Sequence, residues 1–314
     1  MTITVIGHLC IDEIHLPENE GGNGAQEKLF GGIFYSLATL ANLVGPGDRI
    51  QPVLGVGEQE YESFKKSLES LPGVDTKGIY KFKGSSNHVH LFYKAGKNNR
   101  IECSNHIAEP IPFSRIKQFL DADGILINMV SGFDITLETL DSVRMAVRDA
   151  RTPIHFDFHS LTLGIDPENK RFRRPVTDWR RWCFMLNSVQ MSEHEALGLT
   201  AEHFDEQTLV NHLMPLMVNA LVITRGERGV SAILQENKKL TRHDFPAVSS
   251  GPTIDPTGCG DVFGAAFLYH YILRKNYRNA AEFANRVAGV KSTFKGTDGL
   301  SALAGKLTPD SVVR

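Results

Sequence analysis

The stretch of the sequence best suited to chemistry is a glycine-bracketed turn that leads into an acidic helix start. Gly258, Cys259 and Gly260 directly precede Asp261 and a long apolar segment of helical period. The amide N–H groups of a first helical turn have no partner within the helix, and with the helix dipole they attract phosphate oxygens. Asp261 enters the same turn, so a carboxylate that can orient and deprotonate a hydroxyl lies beside a phosphate site. This pairing indicates phosphoryl transfer, and an acidic residue that only decorates a helix start is the simpler alternative.

Length, charge and cysteine usage narrow the class of protein. The 314 residues are 41% hydrophobic and 22% charged, as in an ordinary globular enzyme with a large core. The formal net charge of −2 gives no overall positive field for nucleic acid or an anionic membrane. The 4 cysteines form no CxxC pair, which argues against a disulfide framework or zinc site and favours a reducing cytosol. We expect a cytoplasmic protein without a signal peptide or membrane span.

The elements that would position this turn follow an alternating pattern. Short apolar runs alternate with longer segments of helical period, which predicts βαβ units around a mainly parallel sheet with helices on both faces. The predicted strands are residues 3–6, 51–55, 124–128, 154–157, 183–187 and 220–224, and the predicted helices are residues 33–43, 61–71, 137–148 and 208–218. The fold class is therefore doubly wound α/β, and we expect residues 1–314 to form a single domain.

Two segments depart from the alternation and predict a second, smaller sheet. Residues from about 12 to 32 have the pattern of a strand, a polar loop and a strand. Residues from about 78 to 106 contain an alternating run, a polar turn and a return strand, which is the pattern of a hairpin. A small one-sided sheet beside an α/β core often acts as a lid that excludes water. A sheet extension or a surface for homodimer formation is the alternative.

The segment Asp-Pro-Thr-Gly-Cys-Gly-Asp at residues 255–261 closely resembles the C-terminal signature of the ribokinase-like (PfkB) carbohydrate kinases, usually Asp-Thr-x-Gly-Ala-Gly-Asp. Further segments resemble family motifs in the expected order along nearly the whole chain. They are the first strand and its end at residues 7–12, the diglycine 31–32, the turn 55–58, the nucleotide loop 224–229 and the late helix around 283–285. The resemblance implies a kinase that uses ATP and Mg²⁺, with the ribokinase-like fold and a small β-sheet lid.

The resemblance also implies roles at the acceptor and transfer sites. Asp261 corresponds to the catalytic base, and the backbone of the preceding Gly-Cys-Gly turn corresponds to an anion hole. Substrate hydroxyls would bind at Asp12, Gly31, Gly32 and Ser36. A carboxylate such as that of Asp12 suits this task because it can accept two hydrogen bonds. The residues after the diglycine differ from those of ribokinase itself, which speaks against ribose as the acceptor.

The nucleotide and metal sites follow from the same resemblance. The nucleotide would contact Thr224, Gly226, Gly229, Asn285 and Ser192. Ser192 replaces the asparagine of the family's Asn-x-x-Glu motif, with Asn187 as the alternative position for that asparagine. Glu195 falls on the motif's glutamate and would hold Mg²⁺ through water. Asp255 and Thr257 lie where some members of the family hold a monovalent cation, which makes them candidates for a K⁺ site.

Other charged residues have two interpretations each. Basic and aromatic residues interleave between residues 170 and 182, and with a net charge of −2 a solvated amphipathic connector is favoured over a nucleic-acid patch. His159 follows a predicted strand at the edge where open α/β sheets bind ligands, and Arg100 lies in the predicted hairpin. Either residue could contact the substrate or serve a structural or surface role.

The sequence thus predicts an ATP-dependent phosphotransferase that acts on a hydroxyl of a small neutral sugar or polyol. The matching motifs contain no dense basic cluster, which favours a neutral acceptor over one already phosphorylated. A nucleoside kinase of the same fold is one alternative, in which Phe34 and Tyr35 could stack on a base. A non-catalytic sugar-binding relative is the other.

Overall fold

The strands form one large and two small sheets in a computed structural model, which describes residues 1–15, 26–94, 97–248 and 251–303. In chain order the strands are β1 (Thr2–Ile6), β2 (Leu9–His15), β3 (Gln26–Gly32), β4 (Arg49–Gly57), β5 (Ile79–Phe82), β6 (Asn87–Lys94), β7 (Lys97–Asn105), β8 (Gly124–Ile127), β9 (Ile154–Asp157), β10 (Leu163–Ile165), β11 (Arg171–Arg173), β12 (Ser188–Ser192), β13 (Ala220–Thr224), β14 (Val230–Glu236) and β15 (Lys239–Phe245).

The helices lie between these strands and at the C-terminal side. They are α1 (Ile33–Leu43), α2 (Tyr61–Glu69), α3 (Phe113–Ile116), α4 (Leu137–Val147), α5 (Trp179–Phe184), α6 (Glu193–Gly198), α7 (Glu206–Leu213), α8 (Cys259–Arg274) and α9 (Tyr277–Lys291). Among the described residues, no helix is both long and apolar enough to span a bilayer.

The large sheet has the order β15-β14-β13-β12-β9-β8-β1-β4-β5. The strands from β13 to β5 pair in parallel, and β14 and β15 add an antiparallel edge. Successive side chains of a strand face opposite sides, so Ala220 and Val222 pack in one apolar core while Leu221 and Ile223 pack in the other. Helices α1, α8 and α9 contribute to the first core, and α4, α5 and α7 contribute to the second. The doubly wound α/β prediction is confirmed.

One predicted strand was wrong. Residues 183–187 were expected to form a strand, but Cys183 lies in helix α5 and the strand follows at β12. The buried residues Trp179, Trp182, Cys183 and Leu186 explain the error, because they have the i, i+3, i+4, i+7 spacing of a helical face that continues into the next turn. Residues 214–218, predicted to continue a helix, instead leave α7 through a 3₁₀ turn that contains Pro215.

The second sheet has the order β3-β2-β6-β7, with the central β2 and β6 parallel and the outer pairs antiparallel. Its inner face contributes Cys10, Val89 and Leu91 to a small apolar cluster with Val130 of the main domain. The hairpin β10–β11 lies beside it, through a bridge between Cys103 and Lys170. The polar loop expected between β2 and β3 lies outside the described residues.

Candidate active site

A cavity of about 270 Å³ lies at the carboxyl ends of the parallel strands, beneath the small sheet. The ends of β9, β12 and β13 and the first turn of α8 line one side of it, and β2, β6 and β7 line the other. Carboxyl ends of strands are the usual ligand-binding edge of an open α/β sheet. The cavity therefore brings together residues that are up to 251 positions apart, from Cys10 to Asp261.

The carboxylate of Asp261 faces this cavity from the first turn of α8. Burial raises the pKa of Asp261 to about 6, and a hydrogen bond from Asn128 partly opposes that rise. The amide Nδ2 of Asn128 donates to Oδ1 of Asp261 over 2.7 Å. Asn128 directly follows strand β8, where a polar residue at the ligand-binding edge was a usable sequence signal that we did not exploit. Asp261 is thus a carboxylate that is ionised at neutral pH and can still accept a proton.

The turn before Asp261 has the geometry that its glycines permit. Gly258 has a φ of +78°, and a Cβ at this position would approach the ring of Tyr35 to 2.5 Å. The amide of Cys259 donates to the carbonyl of Pro256, so this N–H is not free for an anion as the sequence had suggested. Gly258 and Gly260 line the cavity, and the amides of Gly260 and Asp261 lie in the first helical turn, where no helix carbonyl precedes them.

A network of polar side chains supports this turn from the neighbouring strands. Nε2 of Gln190 donates to the carbonyl of Gly260 over 3.0 Å and to Oδ2 of Asp157 over 2.9 Å. Asp157 and Gln190 are paired in register across β9 and β12. Burial and the nearby charge of Glu195 raise the pKa of Asp157. The role of Gln190 was missed because a strand was predicted at residues 183–187, whereas the strand that carries Gln190 begins at Ser188.

His159 and Glu195 form an ion pair at the cavity wall. Nδ1 of His159 lies 2.8 Å from Oε1 of Glu195, and the guanidinium of Arg173 lies 3.6 Å from the same oxygen. Burial would lower the pKa of His159, but the hydrogen bond and charge of Glu195 outweigh it and raise the pKa. Burial would likewise raise the pKa of Glu195, and His159 lowers it to about 2. His159 is therefore a cation in this cavity.

Ser192 and Glu195 form a capping box at the start of α6. The amide of Ser192 donates to Oε2 of Glu195 over 2.7 Å, and the hydroxyl of Ser192 accepts from the amide of Glu195. Both residues also line the cavity. The alternative placement of the family's asparagine at Asn187 was wrong. Asn187 precedes β12 at the opposite edge of the sheet, where its Oδ1 accepts from the amide of Ile154.

At the other end of the cavity, the carboxylate of Asp12 lies on the inner face of the small sheet. Asp12 is 7% exposed, and its Oδ1 accepts from the thiol of Cys10 over 3.2 Å. A Cβ on Gly31 would lie 2.2 Å from Oδ2 of Asp12, so this position must be glycine for the carboxylate to lie where it does. Gly32 has a φ of +51° and lines the cavity.

Ser36 requires a correction. We expected its hydroxyl to contact the substrate, but Ser36 is fully buried on α1 and does not line the cavity. Its hydroxyl donates to the backbone carbonyl of Asp261 over 3.1 Å. Ser36 therefore connects helix α1 to helix α8. The ring of Tyr35 is also buried against Gly258, so it is not available to stack on a base.

Arg171 lines the cavity, which the interpretation of its basic stretch as a solvated connector missed. Its Nη2 donates to the carbonyl of Val130 over 2.7 Å and its Nε donates to the hydroxyl of Ser104 on β7. The carboxylate of Glu102 lies 3.7 Å from Nη1. Arg171 therefore links the hairpin β10–β11, the main domain and the small sheet beside the cavity. The surrounding run of basic residues gave no indication that Arg171 would contact Ser104 and Val130.

Of the other four predicted nucleotide residues, Thr224 alone lines the cavity. Gly226 and Gly229 form the turn between β13 and β14. A Cβ on Gly229 would lie 2.0 Å from the carbonyl of Phe245, which explains the glycine by close backbone packing. Asn285 is buried on α9, where its Nδ2 donates to the carbonyl of Pro246 over 2.8 Å.

The candidate K⁺ site also requires a correction. Oδ1 of Asp255 accepts from the amide of Thr257 over 2.9 Å, and the carbonyl of Asp255 accepts from the ammonium of Lys291 over 3.1 Å. The same ammonium lies 3.5 Å from Oδ2 of Asp255. A lysine cation therefore already faces the oxygens that were expected to hold K⁺.

Among the described residues, two sets of side chains carry ligand atoms of the kinds that divalent metals bind. Glu13, His88 and His90 lie close together on the outer face of the small sheet, but Oε1 of Glu13 is paired with the ammonium of Lys28 at 2.8 Å and with His88 at 2.7 Å. Inside the cavity, the carboxylates of Asp157 and Glu195 offer the oxygen ligands that Mg²⁺ prefers. Both oxygens of Glu195 already accept hydrogen bonds, from His159 and from the amide of Ser192, so this carboxylate would hold a metal through water. The side chain of Arg100 lies outside the described part of the chain.

Comparisons with known proteins agree on the fold and the class of enzyme. Residues 176–302 match the profile of the pfkB family carbohydrate kinase. The chain is 24% identical over 278 residues to a cytidine kinase of Thermococcus kodakarensis, a match that covers 86% of this chain and 88% of that protein.

Solved structures extend the likeness in fold to 96–97% of the chain. A pyrophosphate-dependent kinase in the ribokinase family superposes with a TM-score of 0.75 at 18% identity, over 96% of this chain and 99% of that one. The ribokinase of Thermotoga maritima superposes with a TM-score of 0.69 at 18% identity, over 97% and 99%.

Proposed function

We propose that this chain, whose residues 176–302 match the pfkB family carbohydrate kinase, transfers the terminal phosphoryl group of ATP to a hydroxyl of a small neutral sugar or polyol. The observation that supports this most strongly is the position of Asp261. Its carboxylate shares a single cavity with the first turn of α8 at one end and with the Asp12 carboxylate at the other. An acceptor that bridges the two ends would present a hydroxyl between base and donor.

In the proposed reaction, Asp261 accepts the proton of the acceptor hydroxyl as the oxygen attacks the terminal phosphorus. Asn128 donates to Oδ1 of this carboxylate, and we assign the attacking hydroxyl to Oδ2. The pKa of about 6 keeps Asp261 ionised at neutral pH and close enough to that pH for efficient proton transfer. The phosphorus–oxygen bond to the leaving phosphate breaks as the new one forms, and the products are a phosphate monoester and ADP.

Charge on the transferred group is stabilised from two sides in this proposal. The amide of Gly260 and the dipole of α8 would act on it from one side. The His159 cation faces the cavity from the other side. Mg²⁺, held by Asp157 and by Glu195 through water, would neutralise and orient the phosphates. Gln190 keeps the helix turn in register with β9 through its two hydrogen bonds.

The charges at the acceptor end favour a neutral polyhydroxylated acceptor. Asp12 and Glu102 are both carboxylates, and the guanidinium of Arg171 is already committed to Val130, Ser104 and Glu102. Carboxylates accept hydrogen bonds from hydroxyls and repel a phosphate. An acceptor that is already phosphorylated would find no uncommitted cation among the residues that line this end of the cavity.

A nucleoside acceptor is the second candidate, and one observation favours it. Val89, Leu91, Met129 and Val130 form an apolar wall beside Asp12, which would suit a base while the carboxylate binds ribose hydroxyls. The likeness to a cytidine kinase over most of the chain supports the same reading. Phe34 and Tyr35 do not line the cavity, because Phe34 packs edge-on against Phe30 and Phe64 and Tyr35 is buried against Gly258.

The test is release of ADP from ATP and Mg²⁺ across a panel of neutral sugars, polyols, nucleosides and sugar phosphates, with pyrophosphate as a second donor. Saturable turnover on a neutral sugar or polyol supports the proposal, and faster turnover on a nucleoside assigns the second candidate. Faster turnover on a sugar phosphate would contradict the neutral acceptor. Turnover with pyrophosphate but not with ATP would contradict the proposed donor. No turnover with either donor on any acceptor would favour a non-catalytic binding protein.

A further inference from the structure

Lys291, the last residue of α9, has a fully buried side chain. Burial of an unpaired ammonium is strongly unfavourable, so a lysine persists in such a place only when oxygens or aromatic faces surround its charge. No step of the proposed phosphoryl transfer involves this residue. Its surroundings therefore call for an explanation.

The ammonium of Lys291 is enclosed by acceptors from two segments. Its Nζ donates to the carbonyl of Asp255 over 3.1 Å and to the carbonyl of Phe294 over 3.2 Å, and it lies 3.5 Å from Oδ2 of Asp255. The rings of Tyr35 and Phe294 lie 5.5 Å and 5.4 Å from it, within the range of cation–π attraction. This set of carbonyl and carboxylate oxygens is one that a free monovalent cation could also use.

These contacts connect the end of α9 to the loop that leads into the transfer site. Asp255 precedes Gly258 by three residues, and the amides of Ile254 and Asp255 both donate to the carbonyl of Ser292. Tyr35, which flanks the ammonium, also packs against Gly258. The ammonium of Lys291 therefore donates directly to the loop at residues 255–258, which leads into the first turn of α8.

We propose that Lys291 is a positioning residue, a tethered cation that holds loop 255–258 so that the first turn of α8 faces the transferred phosphoryl group. The proposal rests on the proposed function, and it assigns to a lysine the task expected earlier of K⁺. A covalently attached ammonium always occupies its oxygens. Turnover should therefore not require any added monovalent cation.

The first experiment uses the unaltered protein. Its kcat and KM are measured with an accepted substrate in sodium, potassium and N-methyl-D-glucamine chloride at equal ionic strength. The proposal predicts the same values in all three salts. A several-fold higher kcat in potassium would overturn it, because it would show that a free cation still completes the site.

The second experiment removes the tethered charge in two ways. Lys291→Ala leaves a space beside the oxygens, and Lys291→Met fills that space with an uncharged side chain. We expect kcat/KM to fall by about 100-fold in both, because a small misplacement of catalytic groups has an effect of this size. Ammonium, methylammonium or potassium chloride should restore about tenfold of the activity of Lys291→Ala and none of that of Lys291→Met. Retention of full activity by folded Lys291→Met would overturn the proposal.

Thermal melting makes the test independent of turnover. The melting temperature of Lys291→Ala should rise in potassium or ammonium chloride relative to N-methyl-D-glucamine chloride, and that of the unaltered protein should not. Lys66→Ala, which removes an exposed lysine from α2, is the matched control and should show no such dependence. If the unaltered protein phosphorylates nothing, the proposed function fails while this melting comparison still decides the role of Lys291.

Discussion

The side-chain amide of Asn128 donates to the Asp261 carboxylate over 2.7 Å, which joins the carboxyl end of β8 to the first turn of α8. This hydrogen bond stabilises the ionised form of Asp261 and lowers its pKa. Burial favours the neutral form and has the larger effect, so the pKa is raised. The two effects together set the pH at which the proposed base becomes available.

The first prediction concerns this pH dependence. A general base works when deprotonated, so kcat/KM should fall as the pH is lowered through about 6. Asn128→Ala removes the donor to the ionised form, which raises the pKa, and the fall should move to higher pH by about one unit. The measurement is a pH–rate profile of both proteins.

Ser36→Ala is the control for this experiment, because the Ser36 hydroxyl contacts the backbone carbonyl of Asp261 and not the carboxylate. An identical acid limb in Asn128→Ala would assign that limb to another group.

The second prediction concerns Asp12. If its carboxylate accepts acceptor hydroxyls, Asp12→Ala should weaken acceptor binding by about 1.5–3 kcal/mol, roughly 10- to 150-fold in KM, and leave nucleotide affinity nearly unchanged. Steady-state kinetics with the acceptor varied, beside nucleotide titration, provides the measurement. Glu13→Gln is the matched control on the opposite face of the same strand. An unchanged acceptor KM in Asp12→Ala would show that this carboxylate serves only the strand.

The third prediction concerns Arg171. Its fork donates simultaneously to Ser104 and Val130, and a lysine cannot reproduce that geometry. Arg171→Lys should therefore raise the acceptor KM by about tenfold although the charge is kept. Arg180→Lys, in the same basic stretch but stacked on Trp179, should not. If both variants keep the KM of the unaltered protein, Arg171 does not shape the acceptor site.

The sequence was sufficient for the architecture and for the residues that occur in local motifs. Apolar periodicity placed α1 at residues 33–43 as observed, and the glycine turn placed Asp261 at the start of α8. Both predictions rest on patterns formed by residues that are close together in the sequence. The error at residues 183–187 arose because a short apolar run satisfies strand and helix patterns equally until its buried partners are known.

Residues defined by distant contacts could not be predicted in the same way. Lys291 and Asp255 are 36 positions apart, and Arg171 and Ser104 are 67 apart. Neither pair has a local pattern, since a lysine at a helix end and an arginine in a basic run ordinarily face solvent. Ser36 was misassigned for a related reason: its position after the diglycine matched a motif, but the packing of α1 on α8 turned its hydroxyl to the Asp261 carbonyl. Long-range packing decides such roles.

The most direct test of the account is the turnover of Asp261→Asn. Asparagine keeps the size of the side chain and is tolerated at a helix start, so the protein should melt normally and bind ATP through backbone amides. Without the proton acceptor, kcat should fall by about 10²–10⁴-fold. The rate, the nucleotide affinity and the melting temperature are measured together, with the exposed Asp121→Asn as control. A variant that melts normally, binds ATP and turns over at nearly the unaltered rate would contradict the assignment of Asp261 as the base.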